Sequence, residues 1–248
     1  MYNKILKDIL SLRDDKKAKF LAGFFKTGKG QYGEGDVFLG ITVPESRKIA
    51  VKYKDLSFSN ISKLLKNKYH EVRLIALLIL VHKYKFSPIP GIGENSTRTV
   101  LVEFYLKNTK YINNWDLVDL SASYILGDYL YQNYKIGKSS PRPGLGELVK
   151  SKNIWERRIA VIATFAFIYK GESKWTIEMV KILLKDHHDL IQKACGWMLR
   201  EVGKRVSEID LTSFLDIYGS QMPRTMLRYA IERLPEKKRL YYLKKDKI

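Results

Sequence analysis

Lys193-Ala194-Cys195-Gly196 has three counterparts in this chain, Arg73-Leu74-Ile75-Ala76, Asp119-Leu120-Ser121-Ala122 and Arg157-Arg158-Ile159-Ala160. Each opens on a polar residue and closes three positions later on a small one, and the starts are separated by 46, 38 and 36 residues. That interval suits one stacked helix pair per repeat, as in HEAT and armadillo arrays. In such an array the small residue lets neighbouring helices approach, and the polar residue one turn earlier is expected to face an open groove.

The residues around these tetrads support helices. Apolar side chains recur at three- and four-residue spacing between Gly/Pro clusters, and no segment alternates as a strand would. Helices are predicted over residues 2–26, 44–53, 59–67, 70–84, 97–108, 114–133, 154–170, 174–185, 189–204, 208–218, 222–233 and 235–246. Breaks are predicted at Gly28–Gly40, Ser87–Ser96 and Lys135–Gly146, where Gly, Pro and Ser accumulate. Pro44-Glu45 suits a first helical turn, where proline lacks only an N–H that would be unpaired and the carboxylate complements the helix dipole. The expected architecture is all-α, a curved superhelix (solenoid) of HEAT-like helix pairs with a basic concave groove, forming a single domain over residues 1–248.

At 248 residues and 45% hydrophobic content the chain can bury a full core without disulfides or metal. Forty-five Lys and Arg against 26 Asp and Glu give a formal charge of +19. Such a charge costs self-repulsion unless a polyanion offsets it, which favours nucleic acid as partner over a merely well-solvated basic surface. The apolar runs Leu74–Val81 and Ile159–Tyr169 fall short of the roughly 18 residues that span a bilayer. The start, Met1-Tyr2-Asn3-Lys4, lacks a signal-peptide h-region, and one cysteine, Cys195, precludes an internal disulfide. An intracellular, cytoplasmic protein without membrane association is expected.

Trp115 and Asp119 stand at i and i+4, on the same face of one helix. On the repeat register Trp115 lies four before the polar position, Asp119 on it, Arg158 one after and Trp197 four after. At about 100° per residue these fall at roughly −40°, 0°, 100° and +40°, so both tryptophans and Asp119 are expected to look out of one concave face, with Arg158 toward its edge. Register alone leaves Arg157 and Arg158 both open as the outward arginine. Taken singly, a tryptophan is more often core packing and an aspartate more often an ion-pair partner. Trp155 and Trp175 keep the core assignment.

Three segments together resemble the AlkD family of DNA glycosylases: Asn114-Trp115-Asp116-Leu117-Val118-Asp119, Asn153-Ile154-Trp155-Glu156-Arg157-Arg158 and Ile191-Gln192-Lys193-Ala194-Cys195-Gly196-Trp197-Met198-Leu199-Arg200-Glu201. Their order agrees, and Phe38-Leu39-Gly40-Ile41-Thr42-Val43-Pro44-Glu45 resembles that family's N-terminal signature, so the similarity runs from about residue 20 to about residue 205. The resemblance implies a HEAT-like fold and hydrolysis of the N-glycosidic bond of alkylated purines in duplex DNA, without base extrusion, as the opening step of base excision repair. It implies Asp119 as the catalytic aspartate, Trp115 and Trp197 as tryptophans lining the sugar, and Arg158 as an arginine near phosphate. Arg157, Lys193, Lys26 and Lys29 are further candidates for DNA contact. The expected partner is double-stranded DNA carrying alkylated bases, and the expected state is a monomer.

Physical chemistry makes that set sufficient. A purine alkylated at N3 or N7 is cationic and departs neutral, so its leaving needs no proton donor. Positive charge develops on the deoxyribose, where one carboxylate stabilises it and positions or deprotonates water. Each indole face adds on the order of 0.5 to 2 kcal/mol of attraction to such a cation. Neither metal nor organic cofactor is required.

Other signals carry less. Gly28-Lys29-Gly30-Gln31-Tyr32-Gly33 spells a dinucleotide fingerprint without the βαβ unit it needs. With Lys26 and Lys29 the loop offers amide N–H groups to a DNA backbone, or is a plain turn. Glu34, Gly35 and Asp36 form an acidic contrast that the sequence leaves without an account. His187-His188 diverge on a helix and have no metal-ligand spacing, and Cys195 is expected to be buried and inert. Lys135–Arg142 and Lys237–Lys247 are basic runs suited to phosphate or to plain solvation. Two competing functions remain: a catalytically silent repeat protein binding damaged or branched DNA, and a protein-interaction scaffold with tryptophan anchors. Asp119 separates them from an enzyme, because a carboxylate facing phosphates weakens pure binding.

Overall fold

The computed structural model describes residues 1–88, 97–137 and 139–244. Most of the predicted break at Ser87–Ser96, Lys138 and the last three residues of the basic run ending at Lys247 lie outside these. The chain falls into two compact units, Met1–Ile125 and Leu126–Ile248. Among the described residues all regular structure is helical, apart from an isolated parallel bridge between Val37 and Tyr69, and no helix is long and apolar enough to cross a membrane.

The first unit holds α1 (Tyr2–Leu10), α2 (Asp15–Phe24), α3 (Val43–Lys52), α4 (Phe58–Leu65), α5 (His70–Phe86), α6 (Thr97–Lys107) and α7 (Trp115–Asp119). Helix α5 is apolar almost all round, the composition of a helix enclosed by others. Ile75, Ala76, Leu77 and Ile79 are fully buried, and α3, α4, α6 and α7 pack around it. Helix α3 begins with a capping box: Thr42 accepts from the Glu45 amide, and the Glu45 carboxylate accepts from Thr42 N at 2.8 Å.

The predicted helix over 2–26 is two helices. Asp14 adopts extended backbone, and its side chain accepts from Lys17 N at 3.0 Å while its own amide donates to Leu39 O at 2.9 Å. A cap that satisfies an otherwise orphaned amide overrides an apolar period that runs on across the break. The predicted helix over 114–133 also divides. Helix α7 ends at Asp119, a turn follows, and a π-helical turn at Ser123–Gly127 leads to the next helix.

The second unit holds α8 (Asp128–Lys135), α9 (Arg142–Val149), α10 (Ile154–Ala163), α11 (Phe165–Ile168), α12 (Lys174–Ile182), α13 (Asp189–Arg205), α14 (Glu208–Tyr218), α15 (Arg224–Ala230) and α16 (Glu236–Lys244). Helix α9 lies where a break was predicted. Pro143 is tolerated in its first turn, and Leu145 and Val149, fully buried against α10, outweigh the cost of Gly144 and Gly146. The predicted helix over 154–170 breaks at Thr164, whose hydroxyl donates to Val161 O at 2.6 Å and accepts from Thr176 Oγ1 at 2.9 Å.

The small residues of the four tetrads, Ala76, Ala122, Ala160 and Gly196, are all buried. At Gly196 a Cβ would stand 2.4 Å from Met226 O and 2.5 Å from Tyr229 Cβ, so glycine sets how closely α15 approaches α13. The polar members diverge from expectation at Arg157, paired with Asp186 and donating to the carbonyls of Ser151 and Lys152, and most fully at Arg73. It is 5% exposed, and its guanidinium is spent on Asp36 and on the carbonyls of Asn67 and Lys68 rather than on a groove.

Candidate functional site

Helix α7 has five residues, too few to be stable by its own hydrogen bonds, so its position is imposed from outside. Asn114 caps it: Oδ1 accepts from Trp115 N at 2.8 Å, and Nδ2 donates to Asp36 Oδ2 at 3.0 Å. Asp116 accepts from Leu117 N at 2.8 Å through Oδ1 and meets His70 Nε2 at 2.8 Å through Oδ2. The other ring nitrogen, Nδ1, meets Asp36 Oδ2 at 3.0 Å. Asp36 Oδ1 receives Arg73 Nη2.

An imidazole with a carboxylate on each nitrogen donates from both, which only the imidazolium does. Burial alone would depress the His70 pKa, but the charge and hydrogen bond of Asp116, with those of Asp36, outweigh it and hold His70 at about 9. Burial likewise opposes ionisation of Asp36, yet His70, Arg73 and Asn114 keep its pKa below the ordinary carboxylate value. The five buried side chains Asp36, His70, Arg73, Asn114 and Asp116 thus join the 28–40 segment, α5 and α7. Beside them the Glu71 carboxylate, 2% exposed, accepts from the amides of Leu39, Gly40 and Ile41 at 2.8–3.2 Å.

Upon this base sit the two predicted residues of α7. The half-buried Trp115 indole stacks on Phe25, with centroids 4.9 Å apart and planes 14° apart, and meets the edge of Phe24 at 5.9 Å. Phe25 in turn stacks on Phe38 at 4.9 Å, and Phe38 on the His70 ring at 4.4 Å. Asp119 is half-buried at the end of α7, one turn beyond Trp115 on the same side. Burial, and to a lesser extent the charge of Asp119, push the Tyr105 phenol upward against its hydrogen bond with Ser121.

Lys26 and Lys29 are exposed, and Lys26, directly after the Phe25 that stacks on Trp115, has a left-handed backbone at φ 51°. The glycine loop closes on itself. Gly28 N donates to Gln31 Oε1 at 3.0 Å, Gly30 N to Glu34 Oε2 at 2.7 Å and Gly33 N to Lys26 O at 3.1 Å. Those amides are therefore committed, and the loop's cations are what it presents to an anion. A Cβ on Gly33 would stand 2.3 Å from Phe25 O, so the loop lies directly over the residue that supports Trp115.

The remaining predicted residues lie in the second unit. Trp197, on α13, is half-buried with its ring 5.8 Å from Phe165. Arg158 is 5% exposed and donates through Nη1 to Leu190 O at 2.6 Å, bracing the first turn of α13 and leaving little surface for a phosphate. Arg157 is the more open of the two arginines. It pairs with Asp186 at 2.8 Å and donates to Ser151 O at 2.8 Å. Lys193 pairs with Asp189 at 2.6 Å. Trp155 and Trp175 are buried, and so is Cys195, whose thiol is pushed far up by burial. Among the described residues no group of three His, Cys, Asp or Glu side chains is placed to hold a metal ion.

A family model for DNA alkylation repair enzymes matches residues 5–234. The chain belongs to the DNA alkylation repair enzyme family. The solved structure of a predicted DNA alkylation repair enzyme from Enterococcus faecalis resembles it with a TM-score of 0.68 at 16% identity, over 90% of this chain and 97% of that one. At that identity the likeness is one of fold. No curated protein sequence matches significantly. Membership in a DNA repair family supplies the polyanion that a charge of +19 calls for.

Proposed function

We propose that this member of the family is a monofunctional DNA glycosylase. It hydrolyses the N-glycosidic bond of cationic alkylpurines, of the 3-methyladenine and 7-methylguanine type, in duplex DNA and without base flipping. The observation that carries the reading is α7 itself: an indole and a carboxylate one turn apart, both partly open to solvent, on a short helix held by the buried His70–Asp116 ion pair and the Asn114 hydrogen bond to Asp36. Preorganisation of this kind lets a charge act in a transition state without rearrangement.

In the proposed step the bond between C1′ and the purine nitrogen breaks, and its electron pair leaves with the base, neutralising the positive charge that alkylation placed there. The carboxylate of Asp119 stabilises the cationic sugar and takes a proton from the water whose oxygen bonds to C1′. Trp115 offers its face to the same sugar, and Trp197 is assigned the equivalent role that the AlkD resemblance implies. Lys26, Lys29, Lys193 and Arg157 contact phosphates, while Arg158 acts through the α13 turn it braces. The family's DNA substrate, the net charge and the spacing of Trp115 and Asp119 all support this assignment.

Incubation with methylated duplex DNA tests it. The wild type is expected to release free 3-methyladenine and 7-methylguanine, and Asp119→Asn to lose that release while keeping or raising DNA affinity. Binding without release by the wild type would replace the enzyme with a binding scaffold.

A further inference from the structure

Helix α2 buries none of its residues. At about 100° per residue its outer face carries, within a single arc, Lys16, Phe20, Phe24 and Lys17. The two phenyl rings lie parallel, with centroids 6.3 Å and planes 15° apart, and they are 71% and 55% exposed. Two adjacent exposed phenylalanines on the open face of a helix are costly in water and call for a partner. Phe24 meets the edge of Trp115, so this aromatic surface is continuous with the proposed active-site indole.

The chemistry of the partner follows from the charges. Lys16, Lys17 and Lys19 are exposed on α2 itself, and Lys26 and Lys29 are exposed in the segment that follows it. The nearby acids are occupied: Asp14 pairs with Lys17, Asp15 with Arg13, and Glu34 accepts from Gly30 N. A second copy of the chain would set these lysines against themselves. A nucleic-acid duplex presents phosphates spaced around apolar deoxyribose and base surface, which matches cations flanking phenyl rings.

We propose that the outer face of α2 is a DNA-contact surface, with Phe20 and Phe24 against sugars and base edges beside the nucleotide at Trp115, and with Lys16 and Lys19 on the flanking phosphates. The proposal rests on the reading that Trp115 faces DNA, and it adds a non-electrostatic component to the binding that the glycosylase reading does not require.

The test is fluorescence anisotropy of a short labelled duplex, titrated over a salt series with wild type, Phe20→Ala, Phe20→Ala/Phe24→Ala and Lys16→Ala/Lys19→Ala. Phe20 has its ring contact with Phe24 and not with Trp115, so the single variant leaves the indole's neighbours in place. The double phenylalanine variant is expected to bind about tenfold more weakly at every salt concentration, with an unchanged salt slope, and Phe20→Ala to bind several-fold more weakly. The lysine variant is expected to flatten the slope by about two ion equivalents. Thermal midpoints should stay close to the wild type, because both rings are exposed.

Affinity within about twofold of wild type for both phenylalanine variants overturns the proposal. So does a lowered thermal midpoint, which would make the rings structural, or a loss of self-association in sedimentation, which would give the face to a second copy. Base release measured in parallel separates the two readings. Wild-type release with unaltered affinity in the variants sinks only this proposal, and weakened variants without any release sink only the glycosylase.

Discussion

Replacing His70 by Gln removes an imidazolium that holds Asp36 at 3.0 Å on one side and Asp116 at 2.8 Å on the other. The magnitude follows from its ionisation, since His70 titrates near 9 in the folded chain against 6.5 for a free histidine. At about 1.4 kcal/mol per tenfold, that difference amounts to about 3 kcal/mol of stability. The folded pKa is the raised one, so the contribution is complete below the unfolded value, where both states carry the proton. It declines through the window in which only the folded state keeps it, and is gone once the pH passes the folded value.

Urea unfolding followed by circular dichroism, from about pH 6 to about pH 10, should show wild type losing about 3 kcal/mol relative to His70→Gln. Taking the difference between the two proteins cancels titrations they share. A difference that stays level across the window would refute a charged His70 between two carboxylates. Above about pH 9 the folded wild type should also lose base release, as α7 loses its hold on Trp115 and Asp119.

Asn114→Ala deletes the α7 cap and one hydrogen bond to Asp36, and should cost about 1–2 kcal/mol in chemical unfolding and lower base release more than DNA affinity. Equal losses in release and affinity would mean the cap serves only folding. Gly196→Ala places a methyl 2.4 Å from Met226 O and should destabilise by about 1–3 kcal/mol in the same assay. An unchanged midpoint would show that α15 yields freely.

Much of this was legible in the sequence. The 3.6-residue period located most helices because it reports directly on which face is buried, and the small residue of each tetrad is buried. Breaks were harder. Asp14 starts α2 and Thr164 interrupts the 154–170 run through local capping and side-chain hydrogen bonds, which leave the apolar period on either side intact. Helix α9 forms although Pro143, Gly144 and Gly146 oppose it, since two buried side chains decide the matter and burial is a tertiary fact.

At the site, i,i+4 spacing was enough to pair Trp115 with Asp119. What fixes them was not visible, because Asp36, His70 and Asn114 come from three distant segments and each alone looks like an ordinary loop, helix-start or cap residue. The acidic residues after the glycine loop had no account in the sequence. In the fold Asp36 is the shared acceptor of His70, Arg73 and Asn114, and Glu34 is the partner of Gly30.

The most direct test of the central claim is single-turnover release of 3-methyladenine and 7-methylguanine from methylated duplex DNA by wild type and Asp119→Asn, with DNA affinity measured on the same preparations. Asp119→Asn should lose at least about a hundredfold in release with affinity retained or raised. Release by Asp119→Asn at the wild-type rate would contradict it.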